Sequence, residues 1–171
     1  AVDSRYQPGS TFKALVLAAA FEEGLVNEND TFFCSGSVMV PGYPKAIHCS
    51  KRQGHGSQTL AEAVGNSCNP AFIEIGSRLG KERFYDYFLA FGLGERTVID
   101  LPGEASTTGA IWDREKMSNV DLAVASFGQN FEFTPLQMIC GFAAVINGGN
   151  LVKPYVVQSV TAQDGTVIQN T

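Results

Sequence analysis

The hydrophobic pattern of the chain predicts a buried helix close to its start. Residues 14–21 are apolar without interruption, and they lie in a segment from Ser10 to Glu23 that contains no helix breaker. Gly24 follows at the position where helices commonly end on a left-handed residue. Because apolar residues cover every side of this predicted helix, we expect most of its surface to be buried.

Four short segments are predicted strands, and they form two predicted hairpins. Short β-like runs at 38–40 and 46–48 flank the sequence PGYP, and the runs 155–161 and 166–168 flank Asp164-Gly165. Gly and Pro in such positions interrupt strands, and an Asp-Gly pair favours the tight turn of a hairpin.

Capping patterns predict the remaining helices. Thr59 and Glu62 match a capping box for a short helix that ends near Gly65, and Asn69 before Pro70 matches an N-cap followed by a first helical residue. The other predicted helices are 71–79, ended by Gly80, then 81–91, ended by Gly92, and a helix from Thr134-Pro135 to Ile146. The pattern as a whole predicts one mainly helical α+β domain over residues 1–171.

Composition and charge argue against some classes of binding partner. The chain has 171 residues, 44% of them hydrophobic, and a net charge of -5, which suits one globular domain with its own core. The sequence has no basic run, so nucleic acid and anionic membrane surfaces are not expected partners. The longest apolar stretch is too short to span a bilayer. No signal peptide precedes Ala1, and we expect the chain to be a piece of a longer protein.

The first candidate for chemistry is Ser10 with Lys13, in the segment PGSTFK. Residues three apart share one face of a helix. A serine hydroxyl becomes a nucleophile only when a base takes its proton, and a lysine is a base only where burial or positive potential lowers its pKa. The apolar residues after Lys13 favour that burial. The alternative is an N-cap serine beside a surface lysine.

The second candidate is Ser67 with Asn69, in the segment GNSCNPAF. On an extended bend, residues two apart point in the same direction. A hydroxyl that can relay a proton and a carboxamide that can hold a peptide amide would then face one space. Helix capping is the alternative role for both residues.

Together these motifs resemble two of the three signatures of serine penicillin-recognising enzymes, S-x-x-K and S-x-N. Five further stretches resemble the transpeptidase domain of class B penicillin-binding proteins, of the division or sporulation type, in order and over nearly the whole chain: YQPGSTFK, GHGSQTLAEAVGNSCNPAF, IDLPGEA, SFGQNFEFTPLQM and NGGNLVKPYVV. The resemblance implies the mainly helical central part of the serine β-lactamase/DD-transpeptidase-like fold, with most of the central sheet missing. It also implies cross-linking of peptidoglycan through D-Ala-D-Ala stem peptides.

The resemblance assigns a role to each motif residue. Ser10 would attack the carbonyl of the penultimate D-alanine, and its backbone N–H would form half of the oxyanion hole. Lys13 would take the serine proton, Ser67 would pass a proton to the leaving amine, and Asn69 would hold the substrate amide and contact Lys13. The implied partners are stem peptides or their lipid-linked precursor, β-lactams that acylate the same serine, and cell-wall synthesis or division proteins. The parent protein would be anchored at the extracytoplasmic face of the membrane.

The third signature of the family, K-T-G, does not occur in the 171 residues. In the family it lies on a strand downstream of the KPYVV segment and supplies the other oxyanion donor. The resemblance therefore implies that this chain alone neither cross-links peptides nor binds penicillin well. Two alternatives stay open: a β-lactam sensor or β-lactamase on the same fold, and a non-catalytic scaffolding module.

The four cysteines raise a separate question. Disulfides form outside the cytoplasm, and Cys68 lies between Ser67 and Asn69. We favour Cys49 as its redox partner, with Cys34–Cys49 as the rival pairing and four reduced thiols as the simpler alternative. Cys140 is expected to be a buried free thiol.

No metal site and no cofactor are expected. Neither His48 nor His55 has a cysteine or carboxylate at the spacing of a local metal motif. Gln129, in the segment SFGQN, either shapes the floor of the cleft or forms a structural turn.

Overall fold

The computed structural model describes residues 1–170. The predicted first helix is present: a 3₁₀ turn, Gly9–Phe12, leads directly into α1 (Lys13–Glu22). Gly24 follows with a φ of +63°, the left-handed conformation expected after the end of a helix.

The next part of the chain contains two antiparallel strand pairs. β2 (Ser37–Val38) pairs with β3 (Ile47–His48) and forms the predicted hairpin. β1 (Thr31–Cys34) pairs with β4 (Gly56–Thr59), a pairing that was not predicted because it joins segments on either side of that hairpin. β1 alternates exposed and buried residues, as a strand with one face on the core does.

Two helices follow β4. α2 (Leu60–Gly65) begins with the predicted capping box, and α3 (Asn69–Ala90) contains a break at Gly80, where φ is 77° and ψ is 165°. The break divides α3 as the two predicted helices require. The prediction of Asn69 as the N-cap is wrong: Cys68 is the N-cap and makes no side-chain cap bond. The Asn69 side chain has other partners, described below.

The last third of the described chain contains two more helices and a hairpin. A short 3₁₀ turn, Arg114–Lys116, precedes α4 (Asn119–Ala125), which was not predicted although Ser118 and Asp121 form a capping box. α5 (Pro135–Ile146) begins at the predicted Thr134 cap. β5 (Ser159–Thr161) and β6 (Val167–Asn170) form the predicted C-terminal hairpin. Thr171, the last residue of the predicted domain, lies outside the described residues.

The core is built around the start of α1. Phe12 packs against four phenylalanine rings, the nearest being that of Phe131 with 4.8 Å between ring centroids. One side of α1 is buried and contacts α3 and α5. The expectation of burial on most sides is only partly met, because Phe21 is 41% exposed; Ile139 and Ile146 of α5 are exposed apolar residues as well. Within residues 1–170, no helix combines the length and the apolar character needed to cross a membrane.

Candidate active site

The turn that carries Ser10 is held by close backbone packing. Gly9 has a φ of +57° and donates its backbone N–H to the Gly128 carbonyl at 2.8 Å. Gly128 also has a positive φ, +83°, and a Cβ added there would lie 1.9 Å from the Gly9 carbonyl oxygen. The SFGQN segment therefore supports the turn from behind, and only glycine fits at its centre. Gln129, the next residue, is exposed, and its role in the cleft stays a prediction.

Lys13 is a buried amine with three hydrogen-bond acceptors. Its side chain is 4% exposed. Nζ donates to the Ser67 carbonyl oxygen at 2.7 Å, to Ser67 Oγ at 2.9 Å and to Asn69 Oδ1 at 2.8 Å. A charged ammonium has three N–H donors, so this arrangement uses all of them. Burial lowers the pKa of Lys13 to about 8, against the opposing charges of the nearby cysteines.

Ser67 connects Lys13 to Ser10. It lies between α2 and α3 with a φ of 48°, a left-handed conformation that costs a non-glycine residue about 1–3 kcal/mol. Its Oγ donates to Ser10 Oγ at 2.9 Å and accepts from Lys13 Nζ at 2.9 Å. Asn69, at the start of α3, also donates from Nδ2 to the His48 carbonyl oxygen at 3.1 Å. The structure brings the four motif side chains together, as the roles implied by the family resemblance require. Their catalytic roles stay predictions.

A cavity opens beside the two serines. Its volume is about 270 Å³, and its walls are mostly apolar side chains around the polar groups of Ser10, Lys13 and Ser67. Its other lining residues are Thr11, Ala14, Leu17, Val64, Phe72 and Phe142. A larger cavity of about 570 Å³ lies between β2, α3 and α4 and shares no lining residue with the first. Of these two cavities, the smaller is the one lined by Ser10, Lys13 and Ser67.

The hydrogen-bond pattern dictates where a proton can move. The Ser67 carbonyl and Asn69 Oδ1 can only accept, so they keep two N–H groups of Lys13 after the amine loses a proton. The free lone pair then faces Ser67 Oγ, which can donate. With Ser67 donating to Lys13, Ser10 can donate to Ser67. This arrangement can therefore carry a proton from Ser10 to Lys13.

The cysteines are all buried free thiols. Neither predicted disulfide is present in the structure, although Cys49 Sγ lies 4.0 Å from Cys68 Sγ. Burial raises the pKa of Cys68 to about 11, while the Ala71 backbone and the Gln58 side chain act in the opposite direction. Cys140 lies apart on α5 and has the predicted buried thiol.

Sequence reasoning missed two features of the site. It gave no role to the His48 backbone, because every residue type has a carbonyl group and the sequence does not show which one accepts a bond. It also rejected metal ligation because local spacing was absent, whereas the fold gathers Cys34, Cys49, His55 and Cys68 from separate segments.

Comparison with known proteins defines the class. The model of the penicillin binding protein transpeptidase domain matches residues 1–171. The chain belongs to this family, and the resemblance read from its motifs is confirmed.

Individual relatives agree with the family. The chain is 46% identical to stage V sporulation protein D of Bacillus subtilis over 91% of its length, and 29% identical to the peptidoglycan D,D-transpeptidase MrdA of Escherichia coli K12 over 94%. Its fold matches penicillin-binding protein A of Mycobacterium tuberculosis, solved as a ceftriaxone acyl-enzyme complex, with a TM-score of 0.83 and 30% identity. That match covers 100% of this chain and 38% of the other. The chain spans 24% and 26% of the two curated relatives.

Proposed function

We propose that the chain carries the acylation machinery of a serine-type peptidoglycan D,D-transpeptidase. The observation that carries the proposal is the hydrogen-bonded series from Lys13 through Ser67 to Ser10, at the mouth of a cavity. Support also comes from the names of the relatives, one of which is a D,D-transpeptidase.

In the proposed reaction, Ser10 Oγ attacks the carbonyl carbon of the penultimate D-alanine. Its proton moves to Ser67 as the Ser67 proton moves to Lys13, which must be neutral at that moment. The C–N bond to the terminal D-alanine then breaks, and Ser67 gives a proton to the leaving amine while Lys13 returns its proton to Ser67. The product is an ester on Ser10, which the amine of a second stem peptide attacks by the reverse route.

Charge on the substrate oxygen needs donors that are already in place. The Ser10 backbone N–H is the donor we assign within this chain, and one such donor contributes about 3 kcal/mol to the transition state. The second donor is assigned to the K-T-G strand of the family, which this sequence does not contain. For this reason we propose that residues 1–171 alone acylate poorly and that the full-length protein is the active species.

The same site would take β-lactams, because their strained amide carbonyl presents an equivalent target to Ser10.

Membrane anchoring, an extracytoplasmic location and association with cell-wall synthesis proteins belong to the proposal for the full-length protein. A β-lactamase on this fold differs from a transpeptidase in the fate of the ester. Prolonged acylation fits a transpeptidase or sensor, and rapid hydrolysis fits a β-lactamase.

The test is labelling of the full-length protein with a fluorescent penicillin. Ser10→Ala should abolish labelling, since the nucleophile is lost. Ser67→Ala should slow it by about 10²–10⁴-fold, the usual contribution of a proton-transfer group. Ser57→Ala, on an exposed strand position, is the matched control and should label normally. Unchanged labelling of Ser67→Ala would contradict the relay, and absence of labelling in the parent would favour a scaffolding module.

A further inference from the structure

A cluster of metal-binding side chains lies directly behind the second motif. Cys34, Cys49, His55 and Cys68 each offer one ligand atom, and these four atoms all lie within 4.8 Å of one another. Three of the residues are buried and His55 is half-buried. The serine and lysine chemistry described above uses none of these side chains.

Two of the separations within the cluster are close to the edges of a tetrahedral zinc site. Thiolates lie ~2.3 Å and imidazoles ~2.0–2.1 Å from Zn²⁺, so a tetrahedron has S–S edges of about 3.8 Å and S–N edges of about 3.6 Å. Cys49 Sγ lies 4.0 Å from Cys68 Sγ and 3.7 Å from His55 Nδ1. A disulfide would need the two sulfur atoms about 2 Å apart and would leave the other two ligands unused.

A buried amide beside the cluster gives a second, independent indication. Gln58 is 3% exposed, and among the described residues its Nε2 has no hydrogen-bond partner. Its side chain interacts with Cys68. A buried N–H donor needs an acceptor, and a zinc-bound thiolate at Cys68 supplies a charged one. Such outer hydrogen bonds are a regular part of metal sites.

We propose that Cys34, Cys49, His55 and Cys68 bind one Zn²⁺ ion. The donor set of three thiolates and one imidazole is one that structural zinc sites use, and four protein ligands leave no open position for a substrate or water. The ion is therefore structural, and binding it releases the three thiol protons.

The placement of the ligands indicates what the ion stabilises. Cys34 ends β1, Cys49 follows β3, His55 precedes β4, and Cys68 is the N-cap of α3. Cys68 is also the residue between Ser67 and Asn69. The ion thus links the β1–β4 and β2–β3 pairs to the left-handed bend at Ser67. Each of these pairs is a sheet of only two strands.

The test is metal analysis of the full-length protein, purified under reducing conditions without chelators. We expect one zinc per chain in the parent. Cys140→Ser, which removes a buried thiol outside the cluster, is the matched control and should keep its zinc. Cys34→Ser and Cys49→Ser should lose it.

His55 provides the variant that guards against misfolding, because its side chain is half-buried. His55→Ala should keep the circular dichroism of the parent and weaken zinc binding by more than the ~10–100-fold cost of losing an outer hydrogen bond, measured by chelator competition. His55→Cys should restore binding. Replacement of zinc by Co²⁺ should give the visible bands of a tetrahedral thiolate site.

Three results would overturn the proposal. One is zinc-free protein with four alkylatable thiols. Another is a Cys49–Cys68 disulfide in the non-reduced protein, which would make the pair a redox site. The third is zinc that stays in all of the cluster variants. None of these bears on Ser10 acylation, so the zinc site and the proposed function fail separately.

Discussion

The pH dependence of acylation is the sharpest prediction for Lys13. An ordinary lysine, with a pKa of 10.5, is neutral in only about one molecule in three thousand at pH 7, whereas a pKa of about 8 makes about one in eleven neutral. Burial therefore increases the fraction of usable base about 300-fold. Because only the neutral amine accepts the Ser10 proton, the rate should rise with pH. We expect the rate to rise about tenfold between pH 6 and pH 7, to be half-maximal at about pH 8 and to reach a plateau above about pH 9.

The assay is stopped-flow acylation of the full-length protein by a fluorescent penicillin across this pH range. Lys13→Arg keeps the positive charge but cannot give up its proton at these pH values, so labelling should be lost throughout. Lys45→Arg, at an exposed lysine, is the matched control and should follow the parent profile. A flat profile from pH 6 to pH 9, or normal labelling of Lys13→Arg, would refute the assignment of Lys13 as the base.

Three further predictions concern the scaffold. Gly128→Ala should lower the free energy of unfolding, measured by urea titration, clearly more than Gly103→Ala does. Both positions have a positive φ, but of the two only Gly128 would bring the new Cβ against a backbone atom. Equal losses would contradict the close packing behind Ser10. Phe88→Ala should lower the free energy of unfolding by about 3–5 kcal/mol, since Phe88 is 1% exposed. Leu89→Ala should lower it by about 1 kcal/mol or less, because Leu89 is 42% exposed. Similar losses in the two variants would contradict the described core. Residues 1–171 purified alone should self-associate through exposed apolar residues such as Phe21, Ile139 and Ile146 and should acylate slowly. A cooperative monomer with rapid acylation would contradict the need for the missing strand.

Local signals in the sequence were sufficient for most elements. Capping boxes at Thr59 and Thr134 and glycines after helices lie within a few residues of the boundaries they set, so α2 and α5 could be predicted. α4 has the same signal at Ser118 and was missed because it is short and adjoins an irregular segment. The β1–β4 pairing depends on contacts between residues about 25 apart in sequence, which neither strand indicates alone.

In the candidate site too, the local motifs could be predicted from the sequence and the contacts between them could not. Ser10 with Lys13 and Ser67 with Asn69 are each local motifs, and the family resemblance predicts that the two motifs act together. Which side chain contacts which could not be predicted, because it depends on how α1 packs against the bend before α3. The cysteine–histidine cluster shows this most clearly, since its ligands come from four segments and no spacing rule finds them.

The proposed function requires that Ser10 is the residue that becomes acylated. Intact mass spectrometry of the full-length protein after incubation with penicillin measures this directly, followed by peptide mapping of the adduct. We expect a single adduct of one penicillin mass on the peptide that contains Ser10, persistent over the time of the experiment and absent in Ser10→Ala. An adduct on any other residue, or one that forms equally in Ser10→Ala, would contradict it.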